Sequence, residues 1–412
     1  MRKLASIQII KDIQPIPNKD RIGLATILGW KVIVNKADFK VGEPCVYFEV
    51  DSLLDKENPA FAFMEKHKHR VRTMKLAGCI SQGLAMPLKQ LGVKGKEGDD
   101  LTEVLKIKKY EPYVEYHTPV IRTKKERFIN KLNGYYQRFT PRFIKVGVNF
   151  IIHELIGIPQ FTGRGFPEEI AKTDETRVQS IPEVLDRIVD KVISVTEKVD
   201  GKSSTFLLRI RKRKGLLKLL SRIKIVKPIS YQYLVCSRNF VAQPGSDYDL
   251  ISRKLDMKNK LIFMADKYSS IADLNFVCIQ GELAGPKIQG NKYKLKEDQL
   301  FVFNIIVSDG IVYKYDNWGV FNWCKILGLT SVPMLEEKQA EHYSVDDIVK
   351  YATRKSTLRD GWAEGVVIRI SKFRTSGVHT FTSDLVDESL RFDTVDESFK
   401  VINPEFLLEF KL

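Results

Sequence analysis

Lys198, within VTEKVDGKSSTF (residues 195–206), is the side chain best placed for chemistry. An amine followed two residues later by Asp200 and then by Gly201 reads as the end of a strand running into a turn. A lysine attacks an electrophilic centre only once its ammonium has lost a proton, and free lysine titrates near 10.4. Glu197 and Asp200 alone would raise that value. A nucleophilic Lys198 therefore needs other cations, or a bound divalent metal, beside it. The pattern Lys-x-Asp-Gly is weak in isolation. It arises by chance in roughly one chain in ten of this size, and Asp-Gly is also an ordinary hairpin turn.

Four further stretches change the weight of Lys198. CSRN places Arg238 and Asn239 at the end of a strand, and IQGELAGP places Glu282 before a Gly-Pro turn. AEGVVIRI opens a strand on Glu364, and SFKVINPEF carries Lys400 on the last strand. Each alone reads more readily as an ordinary strand residue. Together, in this order and behind Lys-x-Asp-Gly, they resemble the motifs of the covalent nucleotidyltransferase superfamily of DNA ligases, RNA ligases and messenger RNA capping enzymes, over residues 195–407. Within it, FPEEIAKTDETRVQ, EKVDGKSSTF, CSRN and GELAGPKIQGNKY resemble ATP-dependent, nick-sealing RNA ligases. PIPNKDRIGLATILGWKVIV, VGEPCVYFEVDSLL and ISQGLAMPL resemble the N-terminal OB domain of one branch of them.

The resemblance implies a set of roles. Lys198 would become adenylylated by ATP, and Glu197 would read the adenine amino group. Arg177 would engage the nucleotide phosphate or the nucleic-acid strand. Asp200, Glu282 and Glu364 would hold a hydrated Mg²⁺ or Mn²⁺, partly through its waters, because Mg²⁺ dehydrates reluctantly. Lys400 and Arg238, beside Asn239, would neutralise the triphosphate. Phe301 or Phe303 would stack on the base. Period-two alternation puts both on one strand face and leaves the choice open. One departure stands out. The family's last motif usually carries two lysines with one residue between them, and here Ser398 replaces the first. Lys400 then contacts the α-phosphate alone or with Arg369 or Lys372.

Elements must position these groups. Residues 1–105 read as short β-rich runs separated by turn signals, an OB-like all-β barrel. Residues 106–165 mix basic and aromatic residues and read as a linker or insertion. Residues 166–412 read as an antiparallel α+β nucleotidyltransferase domain, with two helical stretches expected in FPEEIAKTDETRVQSIPEVLDRIVDKV. The net charge of +16 predicts attraction to polyanions, nucleic acid first. Nine Lys or Arg in the twenty residues 209–228, including Arg211, Lys212, Arg213 and Lys214, read as a sequence-independent phosphate contact. Five scattered cysteines without a Cys-x-x-Cys pair argue for a reduced, intracellular protein without structural zinc. No apolar run is long enough to span a bilayer.

The expected function is an ATP-dependent RNA ligase acting as a monomer on RNA or an RNA-containing nicked duplex. A non-catalytic RNA-binding protein would have lost Lys198 or a carboxylate, and none is lost. DNA ligases and capping enzymes carry a further OB domain after the last lysine motif, where this sequence has 12 residues beyond Lys400.

Overall fold

The computed structural model describes residues 3–110, 165–212, 229–268, 274–371 and 395–410. The N-terminal part is a curled antiparallel sheet of β1 (Ala5–Ile16), β2 (Lys19–Ile27), β3 (Trp30–Asn35), β4 (Pro44–Phe48) and β5 (Leu84–Pro87), in the order β3-β2-β1-β4-β5. The first half of β1 pairs with β4 and its second half with β2, so one long strand bends through the sheet. Alternation drives the curl. Ile10, Ala25, Trp30, Val32 and Tyr47 pack in one core, and Ile7, Val46, Phe48 and Phe61 in another.

Two sheets form the α+β domain. The first contains β6 (Thr176–Arg177), β7 (Val192–Glu197), β13 (Met334–Gln339), β14 (Gly365–Ser371) and β15 (Val395–Ile402), in the order β6-β15-β14-β7-β13. The second orders β8 (Lys202–Lys212), β9 (Ile229–Cys236), β10 (Phe276–Ala284), β11 (Gln299–Ser308) and β12 (Val312–Lys314) as β9-β8-β10-β11-β12, and Thr330–Ser331 adds to β11. Pairing is antiparallel except for β6 with β15 and Thr330–Ser331 with β11.

Helices cover the second sheet. Helix α1 (Asp247–Lys254) starts at Ser246, whose hydroxyl accepts from the Asp249 amide, the arrangement expected of an N-cap. Helix α2 (Met257–Tyr268) and helix α3 (Asn317–Leu327) bury Leu261, Met264, Trp323 and Leu327 against Ile279, Val302 and Val307. Helix α4 (Val345–Ala352) begins on a Ser344/Asp347 capping box and covers the first sheet. Helix α5 (Pro404–Phe410) closes the described chain.

Two local expectations fail. Residues 166–177 are not helical, and only Val184–Arg187 forms an α-helical turn in that region. Arg177 is drawn into a strand beside Lys400, and Asp174 and Glu175 are taken up by distant cations, so tertiary pairing overrides the helical pattern. The sequence reading also contained neither α3 nor α5. The expected insertion lies outside the described residues, apart from residues 106–110 and 165.

Candidate active site

The Lys-x-Asp-Gly turn joins the two sheets, because β7 ends at Glu197 and β8 begins at Lys202. The Lys198 amide donates to the Gly365 carbonyl at 2.9 Å, tying the turn to β14. The Asp200 amide donates to the Tyr293 hydroxyl at 2.7 Å. Gly201 has to be glycine, since a Cβ there would lie 2.4 Å from the Leu283 carbonyl oxygen. Local sterics and the seam between two sheets thus fix the lysine at the wall of a cavity of about 730 Å³. That volume is in the range of small-molecule sites.

The cavity is lined by Arg177, Glu197, Lys198, Asp200, Arg238, Asn239, Glu282, Phe303, Glu364, Arg369 and Lys400, gathered from more than two hundred residues of sequence. Phe301 is buried at 2 % exposure and packs among Val199, Ala284 and Tyr293, away from the lining. The reason is a β-bulge. Gly281 pairs with Val302 and Gln280 with Asn304, leaving Phe303 without a partner on β10. The bulge turns both Phe303 and Asn304 toward the cavity, and bulges commonly re-aim side chains in this way.

At one end three carboxylates surround the lysine. Lys198 Nζ donates to Glu364 Oε2 at 2.7 Å, with a quarter of the lysine side chain still exposed. Burial alone would pull its ammonium down, but Glu364, Glu282 and Asp200 outweigh that and hold it above the ordinary lysine value. Burial, reinforced by Glu364 and Asp200 against the pull of Lys198, pushes Glu282 up to about 8. The lysine's shift expresses the surrounding carboxylates, and the glutamate's chiefly its burial. Such oxygen donors suit a hard divalent cation. Among the described residues no three His, Cys, Asp or Glu side chains cluster tightly enough to ligate one ion directly.

A second cluster, around Asp174, has the opposite sign and adjoins the first, since Arg238 also acts on Glu282. Asp174 accepts from Arg238 at 2.5 Å, Lys109 at 3.2 Å and Lys400 at 3.3 Å. Although burial opposes it, these three cations, Lys400 foremost, hold the Asp174 carboxyl well below the usual carboxylate range. Next to it Glu175 accepts from Lys314 at 3.0 Å and from the Ser398 hydroxyl at 2.6 Å. Ser398 is the cross-strand neighbour of Arg369. Where the family's lysine pair is incomplete, Arg369 and Lys314 thus bring positive charge to the same spot. Arg369 is only 2 % exposed, and its guanidinium donates to Asn317 Oδ1 at 2.9 Å and Asn304 Oδ1 at 2.6 Å. Lys372 lies outside the described residues.

Glu197 is buried and holds the loop at 356–357. Its carboxylate accepts from the Ser356 hydroxyl and, at 2.7 Å each, from the Thr357 amide and hydroxyl. Oε2 takes both Thr357 bonds and Oε1 takes Ser356, so Oε1 keeps a second acceptor position. Arg177 lies against the N-terminal sheet, reaching Asp51 at 3.5 Å beneath the Trp30 ring at 5.7 Å. The Gly29 amide to Gln179 carbonyl bond and the Ser180 to Glu49 bond secure the same seam. Arg211 and Lys212 are exposed at the far end of β8, roughly 26 Å along the strand from Ser203. Arg213 and Lys214 lie outside the described residues.

Sequence reasoning missed Lys109, Asp174, Lys292 and Lys314. Asp174 stands inside FPEEIAKTDETRVQ and Lys292 inside GELAGPKIQGNKY, stretches that carry the resemblance, but neither residue had a role assigned there. Lys109 and Lys314 had no signal.

Residues 4–88 match the family model described as an OB-fold domain, and residues 191–382 match the one described as RNA ligase. The chain therefore carries an RNA ligase domain behind an N-terminal OB-fold domain. Its fold is that of the solved Naegleria gruberi RNA ligase. The structure with PPi is 24 % identical with a TM-score of 0.69, covering 100 % of this chain and 99 % of that one. A lysine-to-alanine mutant of that enzyme with ATP and Mn gives 24 % and 0.69, covering 99 % of each chain. A glutamate-to-alanine mutant with AMP and Mn gives 23 % and 0.68, covering 100 % of this chain and 99 % of that one. No curated protein matches the chain.

Proposed function

We propose that this RNA ligase is ATP-dependent and works through a lysyl-AMP intermediate on Lys198. In the first step the Lys198 amine attacks the α-phosphorus of ATP. An N–P bond forms, the bond from the α-phosphorus to the bridging oxygen breaks, and pyrophosphate leaves. A 5′-phosphate oxygen of the nucleic acid then attacks the same phosphorus and frees Lys198. A 3′-hydroxyl finally attacks the activated 5′-phosphorus, forming the phosphodiester and releasing AMP.

The observation that carries this reading is the charge polarity of one cavity. Its nucleophile sits among carboxylates, and its cations collect in a second cluster around Asp174. A divalent metal held near Asp200, Glu282 and Glu364 would offset the charge that keeps Lys198 protonated, and would screen the α-phosphate. Lys400 and Arg238 bind phosphate in place of Asp174, and such fixed cations act without reorganising as charge develops. Phe303 stacks on the base. Glu197 receives the adenine amino group while keeping its grip on Thr357.

The substrate class is a nick in a duplex with RNA on the 3′-hydroxyl side, and residues 1–105 supply a clamp for it. The net charge of +16 supports this, as does the seam through which Arg177 contacts Asp51. Residues 106–165 would connect this clamp to a catalytic domain spanning 166–412. All five cysteines are free and four are buried, which favours a reducing compartment. Among the described residues no helix is long and apolar enough to cross a membrane.

The test compares nicked duplexes that differ only in the sugar at the 3′-hydroxyl end, with ATP or GTP. RNA at that end and ATP should give sealing. Equal sealing of all-DNA nicks would refute the substrate class, and equal use of GTP would refute the nucleotide.

A further inference from the structure

Asp200 is gripped twice from one stretch of chain. Tyr293 accepts its amide proton, and Lys292 Nζ reaches its Oδ2 at 2.5 Å. This ion pair is well shielded, with Lys292 at 8 % and Asp200 at 15 % side-chain exposure. Lys292 does not line the cavity. It lies behind Asp200, with its ammonium 5.1 Å from the Phe406 ring centre and 4.9 Å from that of Phe410, both on α5. Arg359 stacks on the same two rings at 5.9 and 4.9 Å and donates to Glu409 of α5 at 2.6 Å. It also donates to the Lys292 carbonyl at 3.3 Å. A buried ammonium between a carboxylate and two aromatic faces is held in one place, because its alternatives are desolvated.

We propose that Lys292 is a positioning residue for the divalent-metal end of the cavity. It rests on the reading of Asp200 as a metal-side carboxylate. Through Asp200, Lys292 fixes where one oxygen points and weakens the hold of the acidic end on a dication. Its own position is set by α5, which makes the last helix part of the site although none of α5's charged groups enters the cavity. The logic is electrostatic. Three carboxylates with only Lys198 beside them would trap a metal tightly, whereas a second ammonium tempers that field. The remaining Oδ1 of Asp200 stays available to the metal or its waters.

The experiment titrates the nucleotide-free full chain with Mn²⁺ and follows free Mn²⁺ by electron paramagnetic resonance. Lys292→Met should bind Mn²⁺ roughly tenfold more tightly, from the loss of one nearby positive charge, and Lys292→Arg should stay close to the parent. In the same proteins, lysine labelling at saturating Mn²⁺ should slow in Lys292→Met, because Asp200 has lost its aim. Phe410→Leu should shift Mn²⁺ binding in the same direction by a smaller factor in the parent. It should shift nothing further in Lys292→Met, since contacting groups are non-additive. Unchanged or weaker Mn²⁺ binding by Lys292→Met would overturn the proposal. Should that variant not fold, an unshifted Phe410→Leu would do the same. A parent protein that neither binds Mn²⁺ nor takes label would instead defeat the underlying reading of the site.

Discussion

The two charge clusters at the cavity are built from the same kinds of side chain in inverse proportion. Around Lys198, three carboxylates, Asp200, Glu282 and Glu364, face two lysines, Lys198 and Lys292. Around Asp174 and Glu175, two carboxylates face five cations: Lys109, Arg238, Lys400, Lys314 and Arg369. The acidic end holds its lysine protonated and pushes Glu282 up, so it is poised to accept positive charge. The basic end depresses its carboxylates, so it is poised to accept negative charge. ATP with a divalent metal satisfies both at once. The contrast also explains why Lys198 rests charged. On the proposed mechanism its activation would wait for the ligands that neutralise the acidic cluster.

The polarity can be broken at either end. The largest effect is expected at the acidic one. Glu282→Ala and Glu364→Ala should each slow lysine adenylylation by about 10²-fold or more, the loss of some 3 kcal/mol of barrier stabilisation. Single-turnover labelling across a metal titration measures this, and near-parent rates in both variants would contradict the assignment. At the basic end the sign differs between residues. Lys400→Ala should weaken ATP use by roughly tenfold, as one charge-assisted contact is lost. Asp174→Asn should strengthen pyrophosphate inhibition severalfold, because the resident anion no longer competes. If Asp174→Asn weakened pyrophosphate binding, Asp174 would be a scaffold for the cations and not a stand-in for phosphate.

A smaller effect sharpens the acidic end through pH. Glu282 carries a folded-state value of about 8 against an ordinary 4.5. Between those values the folded protein binds more protons than the unfolded one, so metal-free stability falls as pH rises from about 5 to 8. Glu282→Gln removes that dependence. In chelator its melting temperature should exceed the parent's by a few degrees at pH 8 and approach it near pH 5. Parallel melting curves for the two proteins over that range would show that Glu282 feels no anion excess.

What the sequence revealed follows the range of the forces involved. The Lys-x-Asp-Gly turn was legible because Asp-Gly is an ordinary turn signal, although what demands glycine at 201 is the Leu283 carbonyl on the neighbouring strand. The strands bearing Glu282 and Lys400, and the one that Glu364 immediately precedes, were legible as short β-rich runs. The choice between Phe301 and Phe303 was not, because a period of two cannot reveal a bulge that depends on the partner strand. The counter-ions were equally hidden. Lys314 meets Glu175 across 139 residues, and Lys292 meets Asp200 across 92. Such pairings have no periodic signature, and they also undid the helix expected over residues 166–177. Helix α5 was read only as the tail of a strand motif, yet it anchors Lys292.

The central claim is that Lys198 is the nucleophile of this polar cavity. Its most direct test incubates the full chain with α-labelled ATP and Mn²⁺, denatures it, and maps the labelled peptide. The account predicts an acid-labile phosphoramidate on Lys198, released as AMP by a nicked RNA-containing duplex or reversed by pyrophosphate, and no label in Lys198→Ala. Full labelling of Lys198→Ala, or a parent protein that takes no label with ATP and metal present, would contradict it.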